Sequence, residues 1–282
     1  MPKPAISPSA GSDSLESLGA KMFDYHLHSW VSHDSECPPA EIVHAAEKAG
    51  LKEICFTDHY DFNDIDKTQH NTFALAAYRE AYDEIASARV KVRRGMEFGM
   101  TTWNQKELGS ILDAFDFDFV IGSVHYMGGY DPYYKEFWIH NDADTAFEKY
   151  LLHTLECVKT QNDFDVLGHL NYICKSEHNP TGKPLCYNDY RDICDEIMKT
   201  LVQKGKGMEI NTSGVDRVGE FLPSVDFIKR FRQLGGEIIT VGSDAHNAAR
   251  VGQYIWGALE IAKDIFGYAC TFENRKPIFH KL

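Results

Sequence analysis

Short apolar segments recur seven times along the chain, and stretches with helical spacing separate them. The segments are rich in Ile, Val and Phe, as expected of strands buried on both faces of a parallel sheet. Strands that alternate with helices predict βαβ units. The predicted strands are Lys21–His26, Glu53–Thr57, Val90–Arg94, Phe119–Ile121, Asp165–Leu167, Met208–Asn211 and Ile238–Val241.

Three of the intervening helices have clear ends. Pro38-Pro39 opens a helix that Gly50 ends, as Pro at the first turn and Gly past the last turn usually do. A second helical pattern covers Tyr190 to Val202. A third begins after Pro223-Ser224 and ends at Gly235-Gly236.

The alternation predicts a single α/β domain over residues 21–282, built as a closed or nearly closed barrel. A doubly wound open sheet is the alternative, but its ligands gather at one switch point. Residues 1–20 are rich in Ser, Ala, Gly and Pro and lack the apolar segment of a signal peptide. We interpret them as a flexible N-terminal extension.

Potential metal ligands follow six of the seven predicted strands. Because side chains at the C-terminal ends of barrel strands converge on one mouth, these residues predict a polynuclear metal site. The six segments are Asp24-Tyr25-His26-Leu27-His28, Thr57-Asp58-His59, Gly95-Met96-Glu97, Gly122-Ser123-Val124-His125, Gly168-His169 and Gly242-Ser243-Asp244-Ala245-His246.

The spacing within two of these segments is typical of chelation. His26 and His28 are two residues apart on a strand, so both side chains point to the same face and can bind one ion. Asp244 and His246 repeat this spacing on the last strand. Asp24 shares the face of His26, and we expect it to accept a hydrogen bond from a ligand imidazole.

Carboxylates complete the predicted donor set. Glu97 can bridge two ions, and Asp34 follows His28 in a loop at the same mouth. A donor set rich in histidine suits zinc, iron or manganese better than magnesium. The remaining histidines lack a strand-end position, although His33 and His140 lie in loops that can approach the mouth.

Composition restricts the class of protein. The chain has 282 residues with a net charge of −13, so a basic nucleic-acid-binding face is not expected. No apolar run is long enough for a membrane span. Seven cysteines without a Cys-x-x-Cys pair favour free thiols in a reducing compartment, the cytoplasm. The sequence leaves the oligomeric state open.

In their order, these motifs resemble the PHP (polymerase and histidinol phosphatase) superfamily, from about Met22 to the end of the chain. Glu209-Ile210-Asn211-Thr212-Ser213-Gly214 followed by Pro223-Ser224 resembles its histidinol-phosphate phosphatase branch. The resemblance implies a distorted (β/α)7 TIM-like barrel, which agrees with the seven predicted strands.

The resemblance also implies three divalent ions and assigns nine ligands to them. Glu97 is the ligand shared by the first two sites. The implied sets are His26, His28, Glu97 and Asp244 for the first ion, Glu97, His125 and His169 for the second, and Asp34, His59 and His246 for the third.

The implied activity is hydrolysis of the phosphomonoester L-histidinol phosphate by a metal-activated hydroxide. Three divalent ions carry more positive charge than the carboxylates of Asp34, Glu97 and Asp244 neutralise. The remaining positive charge suits a phosphate-ester dianion. Candidate catalytic residues are Asp34, His59, Glu97, Asp244 and Lys175. The branch tends to carry Arg shortly after Gly-His, where this chain has Cys174 and then Lys175.

A pocket for histidinol phosphate should offer phosphate-binding cations, a carboxylate for the amine and aromatic faces for the imidazole. The residues just beyond strand ends supply such candidates, whereas Tyr133-Tyr134 and Phe137-Trp138 are expected to pack or to cover the mouth. The substrate-binding candidates are Lys175, Arg217, Arg250, Asp61, Trp103 and Tyr126.

Three alternatives remain open at the level of sequence. The first is a PHP-type phosphatase or phosphodiesterase for another small phosphate ester. The second is an amidohydrolase-type barrel, which also begins with His-x-His but usually needs a bridging Lys where Glu97 is expected to act. The third is a metal-sensing or assembly module, which the full ligand set disfavours.

Overall fold

The computed structural model describes residues 22–180, 182 and 184–282. The strands are β1 (Phe23–Leu27), β2 (Glu53–Phe56), β3 (His59–Phe62), β4 (His70–Thr72), β5 (Lys91–Gly99), β6 (Phe119–Ser123), β7 (Val166–Leu167), β8 (Gly207–Asn211), β9 (Ile239–Gly242), β10 (Tyr268–Glu273) and β11 (Lys276–Lys281). The helices are α1 (Pro39–Lys48), α2 (Leu75–Tyr82), α3 (Gln105–Ala114), α4 (Lys135–His140), α5 (Ala143–Thr160), α6 (Arg191–Gln203), α7 (Val215–Val218), α8 (Val225–Gln233) and α9 (Ile255–Phe266). The predicted extension over residues 1–20 lies outside the described residues.

Seven parallel strands form the wall of a nearly closed barrel, in the order β1-β2-β5-β6-β7-β8-β9. Helices follow most of them, as right-handed βα connections require. The prediction of a (β/α)7-type barrel is therefore confirmed. A short hairpin of β3 and β4 lies off this path, with β3 pairing to the far half of β5.

Hydrogen bonds between β1 and the segment after β9 bring the two edges of the wall together. The amide of Asp244 donates to the carbonyl of His26 at 2.8 Å, and the amide of His28 donates to that of Ala245 at 3.0 Å. The buried carboxylate of Asp24 accepts from the amides of Ser243 at 2.8 Å and Gly252 at 3.0 Å. Both His-containing edges are thus fixed side by side.

A C-terminal hairpin covers the opposite end of the barrel. The ring of Phe272 on β10 lies 4.7 Å from that of Phe119, and its carbonyl accepts from the hydroxyl of Tyr25 at 3.1 Å. All three side chains are buried. Because large aromatic rings fill this end, a ligand reaches the barrel interior from the C-terminal ends of the strands.

Two features differ from the sequence-based expectation. Strand β5 continues to Gly99, so Glu97 lies inside the strand and not beyond its end. The hairpins β3–β4 and β10–β11 were not predicted, because their polar residues break the apolar runs that mark the buried strands.

No helix in the part of the chain that the structure describes is long and apolar enough to cross a bilayer. All seven cysteines are free thiols, as the sequence predicts, and six of them are buried.

We expect Asp24→Ala to destabilise the barrel, because it leaves two buried backbone donors without an acceptor. Each unsatisfied donor costs about 1–3 kcal/mol, so the free energy of unfolding should fall by about 2 to 6 kcal/mol. Urea denaturation of metal-free protein measures this change. The exposed Glu80→Ala is the control, and an equal effect of both changes would contradict the role of Asp24 in closing the barrel.

Candidate metal centre

Glu97 lies at the centre of the donor residues, and its two carboxylate oxygens face different partners. Oε2 lies 3.1 Å from Nε2 of His26 and 3.5 Å from Nε2 of His28. Oε1 lies 2.8 Å from Nε2 of His169 and 3.2 Å from Nε2 of His125. One buried carboxylate therefore joins two groups of histidines.

Asp244 completes the group around His26 and His28. Its Oδ1 lies 3.4 Å from Nε2 of His28 and 3.8 Å from Nε2 of His26. The backbone of Asp244 has a φ of 55°, a left-handed conformation that a non-glycine residue seldom adopts. Such strain is typical of functional sites, where the surrounding structure holds the residue in place.

A third group lies nearer to solvent. Oδ2 of Asp34 is 3.1 Å from Nε2 of His246 and 3.5 Å from Nε2 of His59. The side chains of Asp34 and His246 are 33% and 25% exposed, whereas those of the Glu97 group are buried. This group therefore borders the opening of the site.

The donor atoms fit divalent cations. Two donors at tetrahedral positions about 2.1 Å from one ion lie about 3.4 Å apart, which is close to the separations seen here. Among the described residues, Nε2 of His26, Nε2 of His28 and Oε2 of Glu97 are buried and have no hydrogen-bond partner. Buried polar atoms without partners are costly, and cations between them would remove that cost.

Glu209 fixes the inner histidines from behind. Its Oε1 lies 2.6 Å from Nδ1 of His26, and its Oε2 accepts from the amide of His169 and from Nδ2 of Asn211, at 3.0 and 3.1 Å. A carboxylate can only accept, so His26 donates through Nδ1 and its Nε2 faces Glu97. The expectation that Asp24 has this role was wrong.

Glycine at position 242 makes room for this arrangement. A Cβ atom there would overlap Cβ of His26 and Oε1 of Glu209. Glu209 stands on the one predicted strand that no candidate metal ligand follows. The sequence pattern therefore does not indicate the contact between Glu209 and His26.

Asp61 contacts two further imidazoles. Its carboxylate is hydrogen-bonded to Nδ1 of His125 at 3.1 Å and lies 3.2 Å from Nδ1 of His59, which is equally close to Oε2 of Glu97. Asp61 borders the cleft, yet it is 3% exposed and both oxygens face these rings. Asp61 thus contacts candidate ligand histidines at the edge of the cleft, and its substrate-binding role stays a prediction.

The close approach of carboxylates and imidazoles shifts their protonation in the metal-free protein. Burial alone would lower the pKa of His125, but Asp61 and Glu97 raise it to about 10. Burial would raise the pKa of Glu97, but His26, His125 and His59 hold it well below its usual range. Since metals bind neutral imidazoles, metal binding here releases protons.

A cleft of about 360 Å³ opens above the donor atoms. The ammonium of Lys175 projects into it and lies 2.6 Å from Oδ2 of Asp244. Arg217 and Arg250 also line the cleft, where Arg217 donates to the hydroxyl of Tyr133 at 3.1 Å and Arg250 pairs with Asp216 at 2.9 Å. Three predicted cations therefore surround one opening.

The structure distinguishes Cys174 from Lys175. The buried sulfur of Cys174 accepts a hydrogen bond from the amide of Leu185 at 3.0 Å, and burial raises the pKa of this thiol to about 12. Lys175 is the residue of the pair that lines the cleft.

Two of the predicted substrate-binding residues do not line the cleft. Trp103 donates from Nε1 to the carbonyl of Asp64 at 3.2 Å and packs on Phe62. Tyr126 is half-buried beside the cleft, where burial and the carboxylates of Asp61 and Asp131 raise its pKa to about 12. A contact of either residue with the substrate therefore stays a prediction.

The loop between β6 and α4 supplies lining residues that the sequence did not indicate as substrate contacts. Asp131, Tyr133 and Tyr134 line the cleft. Oδ1 of Asp131 accepts from the amide of Tyr133 at 2.8 Å and from the hydroxyl of Tyr172 at 3.0 Å. His33 also lines the cleft, whereas His140 stacks on Tyr130 with ring centroids 4.5 Å apart.

Comparisons with known proteins show which proteins this chain is similar to. The family model "PHP domain" matches residues 24–213. The histidinol-phosphatase of Lactococcus lactis subsp. lactis is 34% identical to this chain, over 91% of the chain and 96% of the relative. The probable histidinol-phosphatase of Clostridium acetobutylicum is 32% identical, over 92% and 96%.

A solved structure is also similar. It is the histidinol phosphate phosphatase of Lactococcus lactis, crystallised with zinc, L-histidinol and phosphate. The TM-score is 0.81 at 32% sequence identity, and the match covers 92% of this chain and 99% of that one. The similarity therefore extends over the barrel and its mouth.

We expect Glu209→Gln to weaken zinc binding by about 10- to 100-fold, the usual cost of losing a residue that orients a metal ligand. Glutamine must present an amide NH₂ where three donors converge, so one of them loses its acceptor. Chelator competition measures the affinity, and the exposed Glu237→Gln is the matched control. Unchanged affinity in Glu209→Gln would contradict this role.

Metal removal should lower thermal stability. A metal ion present at 100 times its Kd raises the free energy of unfolding by about 2.7 kcal/mol. This increase corresponds to a rise in Tm of about 5 to 10 °C for a domain of this size. Calorimetry of chelator-treated protein with and without added zinc measures the shift. A Tm that does not respond to zinc would contradict a metal centre at these residues.

Proposed function

This chain belongs to the PHP domain family, and on that premise we propose that it is a metal-dependent histidinol-phosphatase, which hydrolyses L-histidinol phosphate to L-histidinol and phosphate. The observation that carries the proposal is the position of Glu97, whose two oxygens face separate histidine groups beneath a cleft lined by cations. Relatives that match over more than nine-tenths of their length support the choice of substrate.

We propose three divalent ions at this centre, with zinc, iron or manganese as the candidates. The donor groups around Oε2 of Glu97, around Oε1 of Glu97 and around Asp34 support three positions. His28, His59 and His246 also approach one another, so the division of ligands among the ions is part of the proposal. Divalent ions held there would neutralise the phosphate and make water more acidic.

The protein's own cations are proposed to bind the phosphate group. The side chain of Lys175 lines the cleft and is 16% exposed. Burial alone would lower the pKa of Lys175, but the nearby carboxylates of Asp244 and Glu97 raise it. Lys175 therefore keeps its charge and can donate to a phosphate oxygen while Asp244 holds it in place. Arg217 and Arg250, at the opening, attract the dianion towards Lys175.

Asp131 is the proposed contact for the substrate ammonium group. Its Oδ1 is held by two donors, and no lysine or arginine pairs with the carboxylate among the described residues. A carboxylate in a cleft without a protein cation is suited to bind a cation of the ligand. Tyr133 and Tyr134 provide aromatic faces for the imidazole ring.

The positions of the phosphate-binding and amine-binding residues in the cleft suggest how they would act together. Lys175 and the metal-binding residues position the phosphorus atom, while Asp131 and the two tyrosines orient the leaving alcohol. Such orientation lowers the entropic cost of reaching the transition state. The proposed ligand is thus a small phosphate ester, and the free thiols support a reducing compartment such as the cytoplasm.

A panel of phosphomonoesters tests the substrate. We expect kcat/KM for L-histidinol phosphate to exceed that for p-nitrophenyl phosphate and for simple sugar phosphates by at least about 100-fold, equivalent to about 2.7 kcal/mol of selective transition-state binding. The same samples are analysed for metal content. Similar kcat/KM values across the panel would favour the alternative, a phosphatase of broad specificity.

Paired variants separate phosphate recognition from amine recognition. Lys175→Met should lower kcat/KM about 10- to 100-fold for histidinol phosphate and p-nitrophenyl phosphate alike, because both carry the phosphate. Asp131→Asn should lower kcat/KM by about tenfold or more for histidinol phosphate alone, because only this substrate carries the ammonium group.

The exposed Asp116→Asn is the control for Asp131→Asn. Equal losses on both substrates in Asp131→Asn would show that Asp131 supports the cleft without recognising the amine. Full activity of Lys175→Met on both substrates would exclude Lys175 as the phosphate contact.

A further inference from the structure

A further buried carboxylate, that of Asp58, lies behind the metal centre and has no place in the proposed chemistry. Its side chain is inaccessible to solvent, as is that of His28. Neither carboxylate oxygen faces the cleft. Oδ1 accepts from the amide of Ser29 at 2.8 Å and from the hydroxyl of Ser32 at 2.9 Å, and Oδ2 accepts from the hydroxyl of Tyr82.

Ser32 connects this carboxylate to two of the proposed metal ligands. Its hydroxyl oxygen lies 3.0 Å from Nδ1 of His28 and accepts from the backbone amide of His59 at 3.0 Å. The side chain of Ser32 is 3% exposed, so water does not compete for these contacts. One hydroxyl group therefore touches ligands of two donor groups at once.

The direction of these hydrogen bonds follows from counting protons. A serine hydroxyl has one proton and two lone pairs. The carboxylate of Asp58 can only accept, so the Ser32 proton points to Asp58. Both lone pairs of Ser32 must then accept, one from the amide of His59 and the other from Nδ1–H of His28. The reverse direction would oppose the lone pairs of two oxygens at 2.9 Å.

We propose that Asp58, acting through Ser32, is a positioning residue that keeps the proton of neutral His28 on Nδ1, so that the Nε2 lone pair faces Glu97 and Asp244. The inference rests on the proposed metal role of His28, but it does not depend on the substrate. A carboxylate or carbonyl usually contacts a ligand histidine directly. Here the hydroxyl of Ser32 lies between His28 and the carboxylate of Asp58, so the negative charge acts through the serine.

The same hydroxyl holds the start of β3. Because the amide of His59 donates to Ser32, loss of the hydroxyl would release both His28 and the backbone beside His59. This hydroxyl therefore links His28, in the group around Glu97, to His59, in the group around Asp34. The Nε2 atoms of the two histidines approach these two different carboxylates.

Zinc affinity of the full chain, measured by chelator competition, tests the proposal. We expect Ser32→Ala to weaken zinc binding about tenfold or more, and Ser32→Thr, which keeps a hydroxyl, to restore it to within about threefold of the wild-type value. Tyr82→Phe is the matched control, since it also removes one hydrogen bond to Asp58 but leaves the contact with Ser32. Its zinc affinity should stay within about threefold of wild type.

A double-mutant cycle separates Asp58 from a purely structural role. If Asp58 acts through Ser32, then Asp58→Ala weakens zinc binding in the wild-type background but changes it by less than about threefold in the Ser32→Ala background. Independent, additive losses would overturn the link between the two residues. Equal zinc affinity of Ser32→Ala and wild type would overturn the whole proposal.

Nitrogen chemical shifts of the metal-free protein provide a readout that does not depend on activity. The imidazole of His28 should show Nδ1 protonated in the neutral wild-type protein and a mixture of both tautomers in Ser32→Ala. A wild-type His28 that is protonated on Nε2 would overturn the proposal. If wild-type protein binds no zinc at all, the proposed function fails as well, whereas a normal wild-type affinity with an insensitive Ser32→Ala rejects this inference alone.

Discussion

The structure depends on one buried carboxylate. Glu97 lies inside strand β5, inaccessible to solvent, with one oxygen towards His26 and His28 and the other towards His125 and His169. A buried charge of this kind is costly unless opposite charges surround it. The imidazoles partly provide that charge in the metal-free protein, and the unpartnered donor atoms indicate where cations complete it.

Around this centre, further carboxylates contact the ring nitrogens that face away from Glu97. Glu209 holds His26, Asp61 holds His125, and Asp58 reaches His28 through a serine. A histidine whose outer nitrogen is fixed presents the other nitrogen in one direction and in one tautomer. The barrel supports this arrangement because hydrogen bonds between β1 and the segment after β9 hold the two edges rigidly together.

In the proposed function, the cleft divides substrate recognition between two sides. Cationic side chains, with Lys175 nearest to the donor atoms, lie where a phosphate would bind, and Asp131 with two tyrosines lies on the loop between β6 and α4. The proposed division would let the cleft select a particular alcohol while the phosphate group is bound on the other side. Of the nine proposed metal ligands, three lie within strands and five others follow a strand end by one to four residues. The residues proposed to contact the leaving alcohol stand instead on the loop between β6 and α4, and loops vary more easily.

The barrel and the candidate ligands at its strand ends could be predicted from the sequence, because strand periodicity and the His-x-His spacing are local properties. These patterns predicted His26, His28 and Glu97 at one mouth. The side chains that surround them are set by tertiary packing. Glu209 reaches His26 across 183 positions of the chain, and Asp131 meets Tyr172 between two separate loops. Such contacts depend on how distant segments pack, and no spacing within one segment encodes them.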